Sequence, residues 1–72
     1  MSTIIDARGF SCPQPVLMAL EGIRKTGRGE IVVLVDTVTS KENVTRAAIS
    51  AGWTVKDVKN EGPEFRISIA RE

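Results

Sequence analysis

The chain has 72 residues, of which 42% are hydrophobic and 26% charged, and its formal net charge is +1. We therefore predict one small folded domain spanning residues 1–72. Its charges are interspersed and nearly balanced, which gives no electrostatic reason to expect a nucleic-acid or membrane surface. One cysteine and no histidine are present. That excludes an internal disulfide, a CxxC redox pair, a Cys–His dyad and the usual zinc ligand sets.

The N-terminus, MSTIIDARGF, lacks the basic region and the long apolar stretch of a signal peptide. No run approaches the ~20 apolar residues of a membrane helix. We therefore expect a cytoplasmic protein whose thiol is kept reduced.

The first half of the chain predicts a strand, a helix and a second strand. Residues 3–7 are short, apolar and β-branched, which favours a strand. A helix is predicted from Pro13 to a stop at Gly27, although Gly22 weakens it by ~1 kcal/mol relative to alanine. Its apolar face is expected to comprise Val16, Leu17, Leu20 and Ile23. Residues 30–36 form a continuous apolar run that is typical of a central strand.

The second half predicts a helix followed by two strands. The helix lies within residues 37–52, and either Thr39 or Ser40 is expected to cap it, with Thr39 and Glu42 forming a capping box. Its inner face is expected to comprise Val44, Ala47, Ala48 and Ala51. Strands follow at residues 53–59 and 64–70, and Trp53 is expected to lie in the core.

The predicted element order is βαβαββ, an α/β (α+β) two-layer sandwich. A crossover through the first helix makes the first two strands parallel, and the last two strands form an antiparallel hairpin. Both helices then cover one face of a four-stranded mixed sheet, and the other face remains partly open.

The single thiol, Cys12, is predicted at or next to the N-cap of the first helix. Unpaired N–H groups and the helix dipole favour the thiolate there, and a nearby Arg8 would add to this effect. Pro13 and Pro15 stiffen the loop but donate no hydrogen bond, so Gln14 and Val16 remain as backbone donors. The alternative is a buried cysteine that acts as a small hydrophobe. A lone activated thiol without catalytic groups suits a carrier.

The segment DARGFSCPQPVLMAL resembles the opening of the TusA (SirA-like, YedF-like) sulfur-carrier family, whose pattern is Asp-x-x-Gly-x-x-Cys-Pro-x-Pro. The resemblance continues through GEIVVLVD, which ends at Asp36, and KENVTRAAISAGWTV looks like the YedF-type branch. It implies a sheet order of 1-2-4-3 and a persulfide on Cys12. The residues that it implies as support for Cys12 are Pro13, Pro15, Gly9, Asp6, Arg8 and Gln14. Gln14 stands where glutamate is common in the tRNA-thiolation branch.

The resemblance implies a carrier of sulfane sulfur rather than a turnover enzyme, with no cofactor and no metal. Its partners would be a sulfur donor of the cysteine desulfurase or rhodanese type and a sulfur-acceptor protein. Three alternatives stay open: a selenium-handling or regulatory YedF-like relative, an RNA-binding module of similar fold, and a purely structural interaction domain. Asp36, at a strand end, is expected to cap or brace the next loop.

Overall fold

The computed structural model describes residues 2–10 and 14–71. Its strands are β1 (Ser2–Asp6), β2 (Gly29–Val35), β3 (Thr54–Glu61) and β4 (Glu64–Arg71), and its helices are α1 (Gln14–Thr26) and α2 (Val38–Ser50). The order β1-α1-β2-α2-β3-β4 confirms the predicted βαβαββ arrangement. Neither helix is long and apolar enough to cross a membrane, within the residues described.

The four strands form one mixed sheet in the order β1-β2-β4-β3, as expected. β1 pairs with β2 in parallel, and β4 pairs antiparallel with both β2 and β3. Alternate residues of β2 are fully buried and lie opposite buried residues of β4, in the pairs Ile31 with Ile69 and Val33 with Ile67. These pairs form the core face of the sheet.

Both helices pack on that face, which gives two layers. α1 contributes Ala19 and Ile23 to the core and α2 contributes Val44 and Ala48. Trp53 is also in the core, as predicted, and its backbone N–H donates to the carbonyl of Ala48 at 2.9 Å. Its indole N–H is buried and finds no partner among the described residues.

The buried face of α1 agrees with the predicted one at Ile23 and, in part, at Val16, but not at Leu17 and Leu20. Pro15, Ala19 and Ile23 are buried, at a spacing of four residues, whereas Leu17 and Leu20 are exposed. The prediction placed the largest apolar side chains inwards because apolarity and helical period were its only guides. Instead, the helix packs through its smaller residues.

Gly22 lies where α1 packs against β1. A β-carbon built on Gly22 would lie well inside van der Waals contact of the δ-methyl group of Ile5, on β1. The absence of a side chain at Gly22 therefore allows α1 to approach β1 closely. The packing of α1 against β1 offsets the loss of helix stability that glycine causes relative to alanine.

The cap of α2 was also predicted at the wrong residue. Thr37 is the N-cap, in an extended conformation, and its hydroxyl oxygen accepts a hydrogen bond from the Ser40 backbone N–H at 3.0 Å. Thr39 and Ser40 therefore lie inside the helix, and the expected capping box with Glu42 is wrong. The physical reason is that β2 ends at Val35, so the chain turns into α2 two residues earlier than the sequence pattern indicated.

The β3–β4 hairpin is longer than predicted. Glu61 pairs with Glu64, which leaves only Gly62 and Pro63 in the turn. Gly62 has φ +66°, and proline holds φ near −65°, so a type II′ turn fits this pair. β3 consequently extends two residues further, to Glu61, into the segment that had been predicted as turn, whereas β4 begins at Glu64 as predicted.

Candidate functional site

The candidate site lies at the edge of the sheet where β1 and β2 end and β4 begins. Because β1 and β2 are parallel and β4 is antiparallel to β2, their ends bring Asp6, Val35 and Glu64 to the same edge. The loop after β1 leads from this edge through Cys12 to α1. Carboxyl ends of parallel strands are common places for functional loops.

Arg8 connects two distant parts of the chain at this edge. Its Nε and one terminal nitrogen bind the two carboxylate oxygens of Asp6, at 2.8 and 2.6 Å. Its other terminal nitrogen binds Glu64 Oε2 at 2.9 Å. The bidentate pair orients the guanidinium, so that the third bond ties the loop after β1 to the start of β4.

The same contacts shift the ionisation of the pair. Hydrogen bonds from the side chain and then the backbone of Arg8 lower the pKa of Asp6 to about 2. Hydrogen bonds to Asp6 and then Glu64 raise the pKa of Arg8 above its already high ordinary value. All three side chains are between 39% and 52% exposed, so solvent screens this network and its main effect is on geometry.

A second anchor holds the next residue of the loop. The carboxylate of Asp36 accepts a hydrogen bond from the Gly9 backbone N–H at 2.9 Å. Gly9 has φ +84°, a conformation that residues with a β-carbon adopt rarely, so glycine suits this turn. Asp36 was expected to cap or brace the next loop, but this contact holds the loop after β1 instead.

The loop is also held by main-chain bonds. The Ala7 N–H donates to the Leu34 carbonyl at 2.9 Å, which extends the pairing of β1 and β2 by one residue. Phe10 N–H lies 3.4 Å from the Ala7 carbonyl, closing a turn. Residues 7–10 are therefore held in place, up to the last described residue before Cys12.

On the other side of Cys12, the first residues of α1 have different surroundings. Pro15 is fully buried and anchors the start of the helix in the core, whereas Gln14 is exposed. Cys12 and Pro13 lie outside the described residues. The predicted exposure of Cys12 at the helix start and the support from Pro13 remain predictions.

Of the predicted supporting residues, the structure brings Asp6 and Arg8 into direct contact, and it joins Gly9 to Asp36. It places the guanidinium of Arg8 between two carboxylates, so its positive charge is largely balanced. An added effect of Arg8 on the thiol remains a prediction. Glu64 was missed, because it lies 56 residues away along the chain from Arg8 and no local pattern connects them.

Comparison with known proteins identifies the family to which this sheet and loop belong. The family model described as "Sulfurtransferase TusA" matches residues 3–71. The chain belongs to the TusA family. The match includes the whole Asp-x-x-Gly-x-x-Cys-Pro-x-Pro segment and the Asp36 and Glu64 anchors.

Individual TusA relatives cover nearly the whole chain. Proteins named "Putative sulfur carrier protein YedF" from Escherichia coli K12 and Salmonella typhimurium are 34% identical over 68 residues, covering 93% of this chain and 88% of theirs. A "Putative sulfur carrier protein" from Archaeoglobus fulgidus is 29% identical over 69 residues, covering 94% of both chains.

A solved structure supports the same fold. The crystal structure of the SirA-like protein from Desulfitobacterium hafniense superimposes with a TM-score of 0.85 and 29% sequence identity, covering 97% of this chain and 96% of that one. The SirA-like and YedF-like resemblance predicted from the sequence is thereby confirmed.

Proposed function

We propose that this protein carries sulfane sulfur as a persulfide on Cys12 and relays it to a partner protein. The observation that carries the proposal is the TusA family match across residues 3–71, which includes the chain's only cysteine. Relatives of similar length are named as sulfur carriers. The anchored loop of residues 7–10 leads directly to this thiol.

In the loading step, the terminal sulfur of a donor persulfide would be transferred to the thiolate of Cys12. The Cys12 thiolate attacks the terminal sulfur of a donor persulfide, R–S–SH, and a new S–S bond forms as the donor's S–S bond breaks. The donor leaves as the thiolate R–S⁻, and Cys12 becomes Cys12–S–SH. Delivery repeats the exchange, with an acceptor thiolate attacking the terminal sulfur and Cys12 leaving as thiolate. No external oxidant or reductant is consumed, and the chain acts as a carrier rather than as a turnover enzyme.

The residues around Cys12 would make it a rigid, accessible nucleophile. The N-terminus of α1 favours a thiolate through its dipole and free N–H groups, although the two prolines remove donors from the first turn. The bonds of Arg8 and Gly9 restrain the preceding loop. We propose that Pro13, Pro15, Gly9, Asp6, Arg8 and Gln14 act as this frame, with no cofactor or metal.

The partners would be a persulfide-bearing donor protein of the cysteine desulfurase or rhodanese type and a sulfur-acceptor protein. A thiol that serves this exchange must remain reduced, which places the protein in the cytoplasm under this proposal.

Intact mass spectrometry tests the proposal. The protein is incubated with inorganic polysulfide, freed of excess reagent and weighed, with Cys12→Ser as the control. We expect the parent chain to gain one sulfur atom that dithiothreitol removes, and Cys12→Ser to gain none. Equal sulfur gain in both proteins, or none in either, would contradict a persulfide on Cys12.

Selenium is a second candidate cargo, because the chain is similar to YedF proteins and the resemblance to that branch implies a link to selenium. Competition between sulfide- and selenide-derived donors separates the two. Preferential retention of sulfur on Cys12 supports the carrier proposed here, whereas preferential retention of selenium supports the alternative.

A further inference from the structure

The face of the sheet that the helices leave uncovered carries apolar residues that lie outside the core. Val32 and Leu34 alternate with the buried residues of β2, and Ile4 lies opposite Val32 on β1. Ile4 is 58% exposed, and none of the three packs against the core cluster that the described residues form. We call this side of the sheet the open face. Its apolar strip is typical of an interaction surface.

The charges on the open face are arranged in rows across β3 and β4. Lys59 lies opposite Arg66, and Asp57 lies opposite Ser68 in the next row. Like charges directly opposite each other on two strands are unfavourable. In the part of the chain that the structure describes, Lys59, Arg66 and Asp57 form no ion pair and no side-chain hydrogen bond. The open face therefore presents unpaired groups of both signs.

The same two rows continue onto β2, where they hold the apolar strip. Leu34 lies opposite Arg66 and Val32 lies opposite Ser68. Neighbouring rows are two residues apart along a strand, or roughly 7 Å. The row of Lys59 therefore contains a leucine and the row of Asp57 contains a valine, at about the same distance from the charged groups.

We propose that the open faces of two copies of this chain pack against each other as a two-fold symmetric dimer, in which Lys59 of each copy binds Asp57 of the other. A two-fold axis that lies between these two rows, in the plane of contact and perpendicular to the strands, places the row of Lys59 over the row of Asp57 of the second copy. It also places Leu34 of each copy over Val32 of the other. Each of these contacts then occurs twice.

The alternation of charge favours a second copy over a partner of uniform charge. Carboxylates lie on both sides of the row of Lys59, with Asp57 in one neighbouring row and Glu61 and Glu64 in the other. An acidic or a basic partner would be attracted by one row and repelled by the next. A second copy with its rows in reverse order brings opposite charges together.

The contact is small, so we expect a weak dimer. Four strands that lie about 4.8 Å apart make a face less than roughly 20 Å wide. The area it can bury is below that of a standard interface, which indicates a dissociation constant on the order of 100 µM. Both helices lie on the other side of the sheet and stay uncovered in the dimer. The inference therefore does not depend on the proposed sulfur-carrier function.

Sedimentation velocity tests the dimer with charge-reversal variants. The parent chain is compared at increasing concentration with Lys59→Asp, Asp57→Lys and the double variant Asp57→Lys/Lys59→Asp. Arg46→Asp is the matched control, because it makes a similar charge reversal on α2. An equimolar mixture of the two single variants is measured as well. Tryptophan fluorescence verifies that each variant is folded.

We expect the mass of the parent chain to rise from 7.8 kDa towards twice that value. Each single variant should dimerise at least about tenfold more weakly, because it introduces two repulsive contacts. The mixture and the double variant should recover the parent affinity, since each pairs lysine with aspartate again, and Arg46→Asp should match the parent. A parent chain that stays monomeric up to about 1 mM would show that something else covers this face, and overturns the inference. Single variants that dimerise like the parent, or a mixture that does not recover, overturn it too.

Amide chemical shifts followed on dilution identify the surface that associates. Shift changes centred on Val32, Leu34 and Ser68 support packing through the open face. Changes centred on the helices, or on the outer edges of β1 and β3 as in edge-to-edge strand pairing, contradict it.

Discussion

Replacing Gly22 by alanine tests whether close helix–strand packing positions α1. Alanine should stabilise an isolated helix by about 1 kcal/mol relative to glycine. In the folded protein, however, the new β-carbon collides with the δ-methyl of Ile5. Overpacking of this kind typically costs about 1–3 kcal/mol. We therefore expect Gly22→Ala to lower the free energy of unfolding by about 1 kcal/mol.

The companion change is Ile5→Val, which removes the colliding methyl and retains the rest of the branched side chain. Alone it should cost about 0.5–1.5 kcal/mol, as isoleucine-to-valine changes usually do. In the Gly22→Ala background the same change should cost little or become favourable, because it relieves the collision. The double-mutant cycle should therefore give a coupling free energy of about 1–2 kcal/mol.

Urea unfolding followed by tryptophan fluorescence measures all four proteins. Trp53 is the only tryptophan and is 2% exposed in the fold, so unfolding should change its emission strongly. A Gly22→Ala protein that is more stable by the full helix-propensity gain, with no coupling to Ile5→Val, would refute the packing argument.

Three further predictions concern a helix cap, a carboxylate and a loop anchor. Thr37→Ala should destabilise the protein by about 1 kcal/mol in urea unfolding, whereas Thr39→Ala should change it by less than about 0.5 kcal/mol. The Asp6 pKa of about 2 lies below its ordinary value of 3.8, so its stabilising effect is complete above pH 4 and is lost as pH falls towards 2. As the pH falls from 4 to 2, the melting temperature should therefore decrease less steeply for Asp6→Asn than for the parent protein. Identical slopes of melting temperature against pH in the two proteins would contradict this. Asp36→Ala should accelerate hydrogen exchange at the Gly9 amide, and an unchanged rate would show that the bond does not restrain the loop.

The amino-acid sequence by itself determined the order and type of the elements. β2 alternates between fully and partly buried residues, and its apolar, β-branched run predicts a central strand whatever its neighbours are. Gly27 and Gly52, just beyond the two helices, mark their ends through backbone conformation, which is a local property. The Cys-Pro-x-Pro segment likewise identifies the family because its information lies in consecutive residues.

Only the tertiary structure decided which surfaces meet. The helical period restricts the side of α1 that can face inwards, but its packing in the fold buries Ala19 and leaves Leu17 and Leu20 exposed. The sequence pattern had assigned both leucines to the core, but in the fold they remain exposed.

The frame of the site depended on tertiary structure in the same way. Asp36 reaches Gly9 across 27 residues of chain, and Glu64 reaches Arg8 across 56. Local propensity acts over a few residues, whereas these bonds exist only because the sheet order β1-β2-β4-β3 brings three strand ends to one edge. The sequence could therefore identify the residues next to the thiol, but their partners followed from strand pairing, whose free energy comes from burying the whole sheet rather than from any one segment.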